Sequence, residues 1–576
     1  MSRWRTLSSG LSVIGLIAMA CGGAAAPTAT PTKSAATPVA TAAPGGATAT
    51  PTRAAAVSTP TPTVAGPAPT ASSSGPRGKM TMAAVADITN RDIHVATGGG
   101  LQSFYTNTDF NATLLSIQRE GKPAEPYLTE SWSWDEKGLK IRFVIRKGAR
   151  FHDGKAVTSD DILFTVEKIR SPYARNSPNS ALPRQIKTVE AIDDRTVVFT
   201  LPGADALGWS KMGGLVIQPR HSPYEAFQQN PIGAGPYKFV EWRPFESLTM
   251  EASPYWWDAD KVQVKTIVRM VVPEPESRLA MLKAGQIDFM DEVQPRQGEE
   301  LLKDKRFRVR VTNTGGWVPV LFSTDTPVIP GTDVPNPFLD VRVRRAFILA
   351  VDRKAIFDGV ALGKYGIYIP GPWSRNVVGV GAAVEGQIKP YDYDPKEARR
   401  LLDEAKFPFD REFPIWYYRS SSGYPEAYQV AIAYWNAIGI KARDRLTEVG
   451  TIVSYAGDSP ARTYPIRMYR VNGLSAEGEA PGYVTFSKNT PEGFNGQMLD
   501  PKLEAWALQM RTTFEPAERE KINREIYLYL HEQALTIPLL GGVLIFGFNQ
   551  RVDWDIVPGQ TTVTHLWRTT WMPGAP

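Results

Sequence analysis

The residues that could do chemistry are few. Five histidines and one cysteine occur in 576 residues, so a zinc site built on cysteine pairs and an internal disulfide are both impossible. His152-Asp153-Gly154 has the types for metal binding or acid–base work, but a turn ahead of a capped helix accounts for it better. Asp340 with Arg342–Arg345 has the charges of an anion site, but a capped, solvated helix start explains them better. Glycoside hydrolysis needs two carboxylates about 5–10 Å apart, for which Glu477/Glu479 and Asp258/Asp260 are the nearest pairs in sequence. G-x-S-x-G, H-E-x-x-H and phosphate-loop patterns do not occur. The expectation is therefore no catalytic residue, no metal and no cofactor.

The remaining chemistry-bearing residue is Cys21. It follows a basic start (Arg3, Arg5) and a short apolar run from Leu11 to Met19, the length of a signal-peptide core and too short to span a bilayer. Ala18-Met-Ala-Cys21-Gly22 is similar to the bacterial lipobox, which implies removal of residues 1–20 and lipidation of the Cys21 sulfur. Gly22 to Pro76 is nearly all Ala, Thr, Pro, Ser and Gly, without periodicity or enough apolar surface to fold. As a coil of about 55 residues it would span ~40 Å, and as polyproline II ~170 Å. It reads as a spacer between an anchor and a working domain.

From Lys79 the composition becomes that of a folded protein. The chain is 42% hydrophobic, 22% charged and +6 overall, too weak and dispersed a charge for nucleic acid. Leu139, Ile141, Phe143 and Ile145 alternate as a half-buried strand, and a helix begins near Thr158/Ser159 with Ile162, Leu163, Val166 and Ile169 on one face. Pro275–Ala284 is a helix stopped by Gly285. Asp340, Asp352 and Asp394 cap three more, and Pro425–Ile438 and Pro516–Ala534 complete the long ones. Thr196–Leu201 is a strand, and the apolar run Ile537–Phe548 is a buried one. Helices and strands mix throughout without a repeat, giving an α/β or α+β class.

Several blocks together carry a resemblance. Leu128-Thr-Glu-Ser-Trp132, Arg146-Lys-Gly-Ala-Arg-Phe151-His-Asp-Gly154 and Val157-Thr-Ser-Asp160-Asp161 come first. Pro231-Ile-Gly-Ala-Gly-Pro-Tyr237, Ser277-Arg-Leu-Ala-Met-Leu-Lys-Ala-Gly285 and Asp340-Val-Arg-Val-Arg-Arg-Ala-Phe347 follow, with Tyr393-Asp-Pro395 and the Glu532–Leu539 end. In this order they resemble the bacterial extracellular solute-binding proteins of family 5, the peptide/nickel type that serves ABC importers. The resemblance implies an α/β fold: a bilobed periplasmic-binding-protein-like clamp of type II, from the cluster with an extra inserted domain, with mixed sheets flanked by helices. It implies lobe I from 79–117, 232–315 and 536–576, an inserted small domain from 118–231, and lobe II from 316–535, after a tether over 21–78. The connections between lobes are expected near Val311–Val318 and Leu535–Leu540.

By the same resemblance the ligand lies in the cleft. Tyr105, Asn107 and Phe110, Trp317, Trp373, then Tyr469, Arg470, Asn472, Glu477 and Glu479 are the expected contacts. Peptide-binding members carry a Trp-x-x-Asp-Tyr-like stretch whose aspartate pairs with the peptide amine, whereas this chain reads Met468-Tyr-Arg-Val-Asn-Gly-Leu-Ser-Ala-Glu-Gly-Glu479. Glu477 or Glu479 can substitute, and Arg470 can meet a carboxylate. The expected partners are an oligopeptide or other small polar solute, an ABC permease with its ATPase subunits, and the membrane through the anchor. Nucleic acid is not expected, and the chain is expected to be a monomer at the outer face of the cytoplasmic membrane or in the periplasm. A surface hydrolase and a binding protein feeding a membrane sensor are the alternatives.

Overall fold

A computed structural model describes residues 75–88, 90–95, 109–116, 125–135, 138–174, 185–206, 208–322, 324, 327–329, 334–372, 382–418, 425–447, 466–468, 500–556 and 565–575. In chain order its strands are β1 (Arg77–Ala84), β2 (Ala112–Thr113), β3 (Thr129–Trp134), β4 (Lys140–Ile145), β5 (Thr188–Asp193) and β6 (Thr196–Thr200). There follow β7 (Val216–Ile217), β8 (Tyr237–Arg243), β9 (Ser247–Ala252), β10 (Val264–Val271), β11 (Phe289–Met290) and β12 (Phe307–Phe322). The last are β13 (Glu412–Tyr418), β14 (Lys441–Thr447), β15 (Ile466–Met468), β16 (Thr536–Asn549), β17 (Val552–Trp554) and β18 (Thr569–Trp571).

Ten strands form one mixed sheet in the order β14-β13-β15-β12-β16-β11-β1-β10-β9-β8. Its middle is the antiparallel pair β12–β16, the two longest strands. Every residue of β16 but the last is buried, because an apolar run at the centre of a covered sheet has no solvent face to alternate against. On one flank the core joins Met82, Phe289, Phe546, Phe548 and Trp554. On the other, helices Val341–Leu349 and Pro425–Ala437 press Phe347 and Trp435 against β12 and β13.

A separate four-stranded antiparallel sheet, β3-β4-β6-β5, has its own core. Ile141, Phe143 and Ile145 face inward while Lys140 and Arg142 face water, as the alternation predicts. The covering helix Ser159–Arg170 buries Ile162, Val166 and Ile169. Its start is held by Asp161, which accepts from the Thr158 amide at 2.8 Å and the Arg220 amide at 2.8 Å. Asp340, Asp352 and Asp394 each accept from an amide in the first turn of the helix they precede.

One sequence expectation needs correcting. Arg344 is not part of a solvated helix start: it is 5% exposed and donates to the carbonyls of Phe338, Leu339 and Gln533. It ties the turn before its helix to the segment entering β16. Asp340 and Arg342 do behave as a capped surface pair, 2.6 Å apart.

Candidate functional site

Among the described residues the β12–β16 ladder is the longest, and it is interrupted within Asn313–Pro319. The register shifts between Asn313 and Trp317, and again between Val318 and Pro319. Sequence explains both. Pro319 stands opposite Pro538, and neither has an N–H to donate. Gly541, opposite Trp317, gives its amide to the Ile367 carbonyl at 2.7 Å and takes the Ile367 amide at 3.2 Å. Gly541 therefore bonds the 366–372 segment. A Cβ there would lie 2.6 Å from that of Ile367, so only glycine permits the approach. The ladder is thinnest where the two halves of the sheet join.

Described residues that adjoin three of the expected contact regions lie along this part of the ladder. Trp317 sits within it on β12. Gly371-Pro372 is anchored beside it: Thr536 donates its hydroxyl to the Pro372 carbonyl at 2.8 Å, and Gly371 lies against the Tyr527 ring. Met468, the residue before Tyr469, pairs with Val320. A small cavity beneath the loop is lined by Arg353, Pro370, Gly371, Tyr391, His531 and Thr536. Arg353 is 4% exposed and donates to the carbonyls of Ile369 and Tyr391 at 3.1 and 3.0 Å, which fixes the loop. Burial pulls its guanidinium below the usual range, and it is committed to backbone rather than to solute. Tyr391 donates to the His531 carbonyl, and His531 bonds the Lys389 carbonyl.

Phe110 is the expected contact whose side chain the structure describes. Its ring is buried in the core with 1% exposure, and its carbonyl accepts from the Gly235 amide at 3.0 Å. A Cβ on Gly233 would fall 1.6 Å from the same carbonyl. His152 holds this glycine loop at both ends: Nδ1 accepts from the Gly233 amide at 3.2 Å, leaving Nε2 to donate to the Gly235 carbonyl at 3.0 Å. Burial pushes the His152 pKa down to about 4, against the Gly235 bond, so the ring stays neutral at ordinary pH. His152-Asp153-Gly154 is thus loop-holding, and among the described residues no cluster of His, Cys, Asp and Glu could hold a metal. Asp109, beside Phe110, accepts the Leu566 amide at 2.8 Å, and burial pushes its carboxyl up to about 8.

Tyr105, Asn107, Trp373, Tyr469, Arg470, Asn472, Glu477, Glu479 and Cys21 lie outside the described residues, as does the Trp317 side chain. Sequence reasoning missed the described scaffold around the strand break: Gly541, Arg353, Thr536 and Tyr527. The pairs Pro319/Pro538 and Gly541/Gly542, inside what read as strands, were the available signal.

Two half-sheets joined through two long, interrupted strands make up the larger part of the fold. The chain belongs to the bacterial extracellular solute-binding proteins, family 5, whose middle-region model matches residues 124–490. It is a solute-binding protein, of a family that binds rather than transforms. It is 26% identical to heme-binding protein A of Haemophilus influenzae over 77% of this chain and 85% of that one. It is 27% identical to the probable di/tripeptide-binding protein 5 of Pseudomonas aeruginosa, over 81% and 90%. In fold it is similar to Bacillus subtilis AppA in complex with a nonapeptide, with TM-score 0.72, 19% identity and coverage of 87% and 100%. The fold is accordingly that of the bilobed α/β binding proteins.

Proposed function

We propose that this protein captures a short peptide or peptide-like solute at the β12–β16 junction. It closes on the solute by bending those strands and presents the closed form to an ABC permease and its ATPase subunits. The carrying observation is the ladder break opposite Gly541, beside which lie the backbone of Trp317, the Gly371-Pro372 pair and Met468; in this reading the break is what lets the join bend. Trp317, Trp373 and Tyr469 supply apolar walls, Tyr105 and Asn107 face them, and Asn472 supplies an amide. Glu477 or Glu479 pairs with the solute's amine and Arg470 with its carboxylate. The lobes are divided at 315/316 and 535/536, with 118–231 as an inserted domain. A relative that binds di- and tripeptides and a neighbour holding a nonapeptide support a peptide ligand.

In this reading residues 1–20 are removed and Cys21 carries a lipid. The 21–78 tether then lets a monomer work at the outer face of the membrane. Among the described residues no helix is long and apolar enough to cross one. Native mass spectra of the purified full chain, before and after mild denaturation, test the ligand class. A ladder of adducts spaced by amino-acid residue masses is expected. A single non-peptide mass overturns the peptide assignment.

A further inference from the structure

Far from the strand break in sequence, helix Pro501–Thr512 and the body of the four-stranded sheet touch through a compact group of contacts. Helix Pro501–Thr512 belongs to a core with Leu321, Met510, Ile522 and Tyr527, at the outer end of β12. Its last turn reaches the four-stranded-sheet body. Arg511 meets Asp205 at 2.5 Å, with side chains only 18% and 6% exposed. The Ala206 amide donates to the Arg511 carbonyl at 2.7 Å. Three residues on from Arg511, Phe514 lies against Gly138, whose Cβ, if it had one, would be 2.0 Å from the ring. Gly138 also has φ +61, so glycine is required there twice over. The Phe514 ring meets Trp134 edge-on at 5.7 Å.

Both sides of this contact are braced. Arg519, 7% exposed, donates to the carbonyls of Thr513 and Phe514 and so fixes the turn that presents the ring. Trp134 packs edge-on against Trp132, which stacks on Trp209 in the small-sheet core. Gly138 and Asp205 are themselves joined, the Asp205 amide donating to the Gly138 carbonyl. None of these residues is an expected ligand contact.

We infer that Arg511, Phe514, Asp205 and Gly138 form a latch that sets solute affinity without touching the solute. The inference rests on hinge closure as proposed above. A contact between bodies joined by a compliant hinge is made in the closed form and lost in the open one. It therefore adds directly to the closed:open ratio. Apparent affinity scales with the closed fraction. A charge-assisted pair this shielded shifts that ratio by about tenfold. Because Arg511 keeps some exposure, part of the effect is lost at high salt.

The test is a distance measurement on the full chain. Spin labels are placed on Glu190→Cys and Glu518→Cys, both exposed, in a Cys21→Ser background. Electron–electron resonance then reports the separation of the two bodies. Arg511→Ala and Gly138→Ala are expected to lower the ratio of short to long distances about tenfold. The charge-swapped pair Arg511→Asp with Asp205→Arg is expected to restore it, which a folding defect would not allow. Unchanged proportions in both single variants overturn the latch. If a second distance population still appears in sub-denaturing urea, hinge closure survives that result. If one distance persists in every variant and in urea, closure falls together with the latch.

Discussion

Lys168–Asp92 and Arg511–Asp205 are both short, shielded ion pairs, at 2.6 and 2.5 Å. They differ in what surrounds them. Lys168 and Asp92 have no exposure at all. Gln218 bonds both partners, at 2.6 and 2.8 Å, and the His94 amide bonds Asp92 at 2.9 Å. The rings of Tyr173, Tyr224 and Phe227 enclose the ammonium. Burial lowers the Lys168 pKa, and the Asp92 carboxylate offsets this only in part. The first pair is closed on every side and joins the loop at 90–95 to the small-sheet body for good. The second keeps some exposure, 18% at Arg511, and joins helix Pro501–Thr512 to the small-sheet body in the contact proposed above to open with the hinge. A charge pair fixes structure when its desolvation is permanent. It regulates when solvation returns on opening.

The largest expected effect is on the permanent pair. Asp92→Ala takes the counter-ion from the buried Lys168 and should cost about 3–5 kcal/mol in urea unfolding. An effect as small as that of Arg511→Ala would erase the distinction between the pairs.

Acid sharpens the comparison next, because the fixed region also contains His152. Its folded pKa, about 4, lies below the ordinary 6.5, so the unfolded chain binds the extra proton between those values. Stability from this group is complete above pH 6.5 and is lost as pH falls to 4, about 3 kcal/mol in all. Asp109 works in the opposite sense: its carboxyl is raised to about 8, so its contribution is largest at low pH and fades toward 8. The readout is therefore the difference between wild type and His152→Gln, which should grow with pH between 4 and 6.5. A difference independent of pH would remove the neutral, loop-holding histidine.

Gly138→Ala comes third, at about 1–2 kcal/mol of global stability for a non-glycine residue at positive φ. Most of its effect should appear as opening, seen as faster proteolysis around 501–515. Last is Arg511→Ala. Its thermal unfolding should change by less than about 1 kcal/mol, since the folded bodies persist without it. A loss comparable with Asp92→Ala would make the latch a structural pair.

Much of the scaffold is local and was therefore legible. Asp340, Asp352 and Asp394 announce helix starts through their own first-turn amides. The run Ile537–Phe548 is apolar without alternation because both faces of β16 are covered. What sequence did not show depends on distant partners. Arg344 looks like a surface charge until Gln533, 189 residues away, supplies the carbonyl. Asp205 and Arg511 are 306 residues apart, and nothing near either one specifies the pairing. His152 was read as a turn residue, yet its ring holds Gly233 and Gly235. Phe110, expected to face solute, is buried, while the other expected contacts lie outside the described residues or, for Trp317, have only their backbone described.

Closure on a solute is the central claim, and one amide reports it. The Ala206 N–H bonds the Arg511 carbonyl only while the two bodies touch. Hydrogen exchange at that amide should be measured on the full chain, stripped by mild denaturation and refolded, with and without a tryptic casein digest. Closure predicts slower exchange at Ala206 with the digest, while the Ile145 amide, bonded to Arg195 inside the small-sheet body, stays unchanged. Equal exchange at Ala206 in both samples would contradict closure on a peptide.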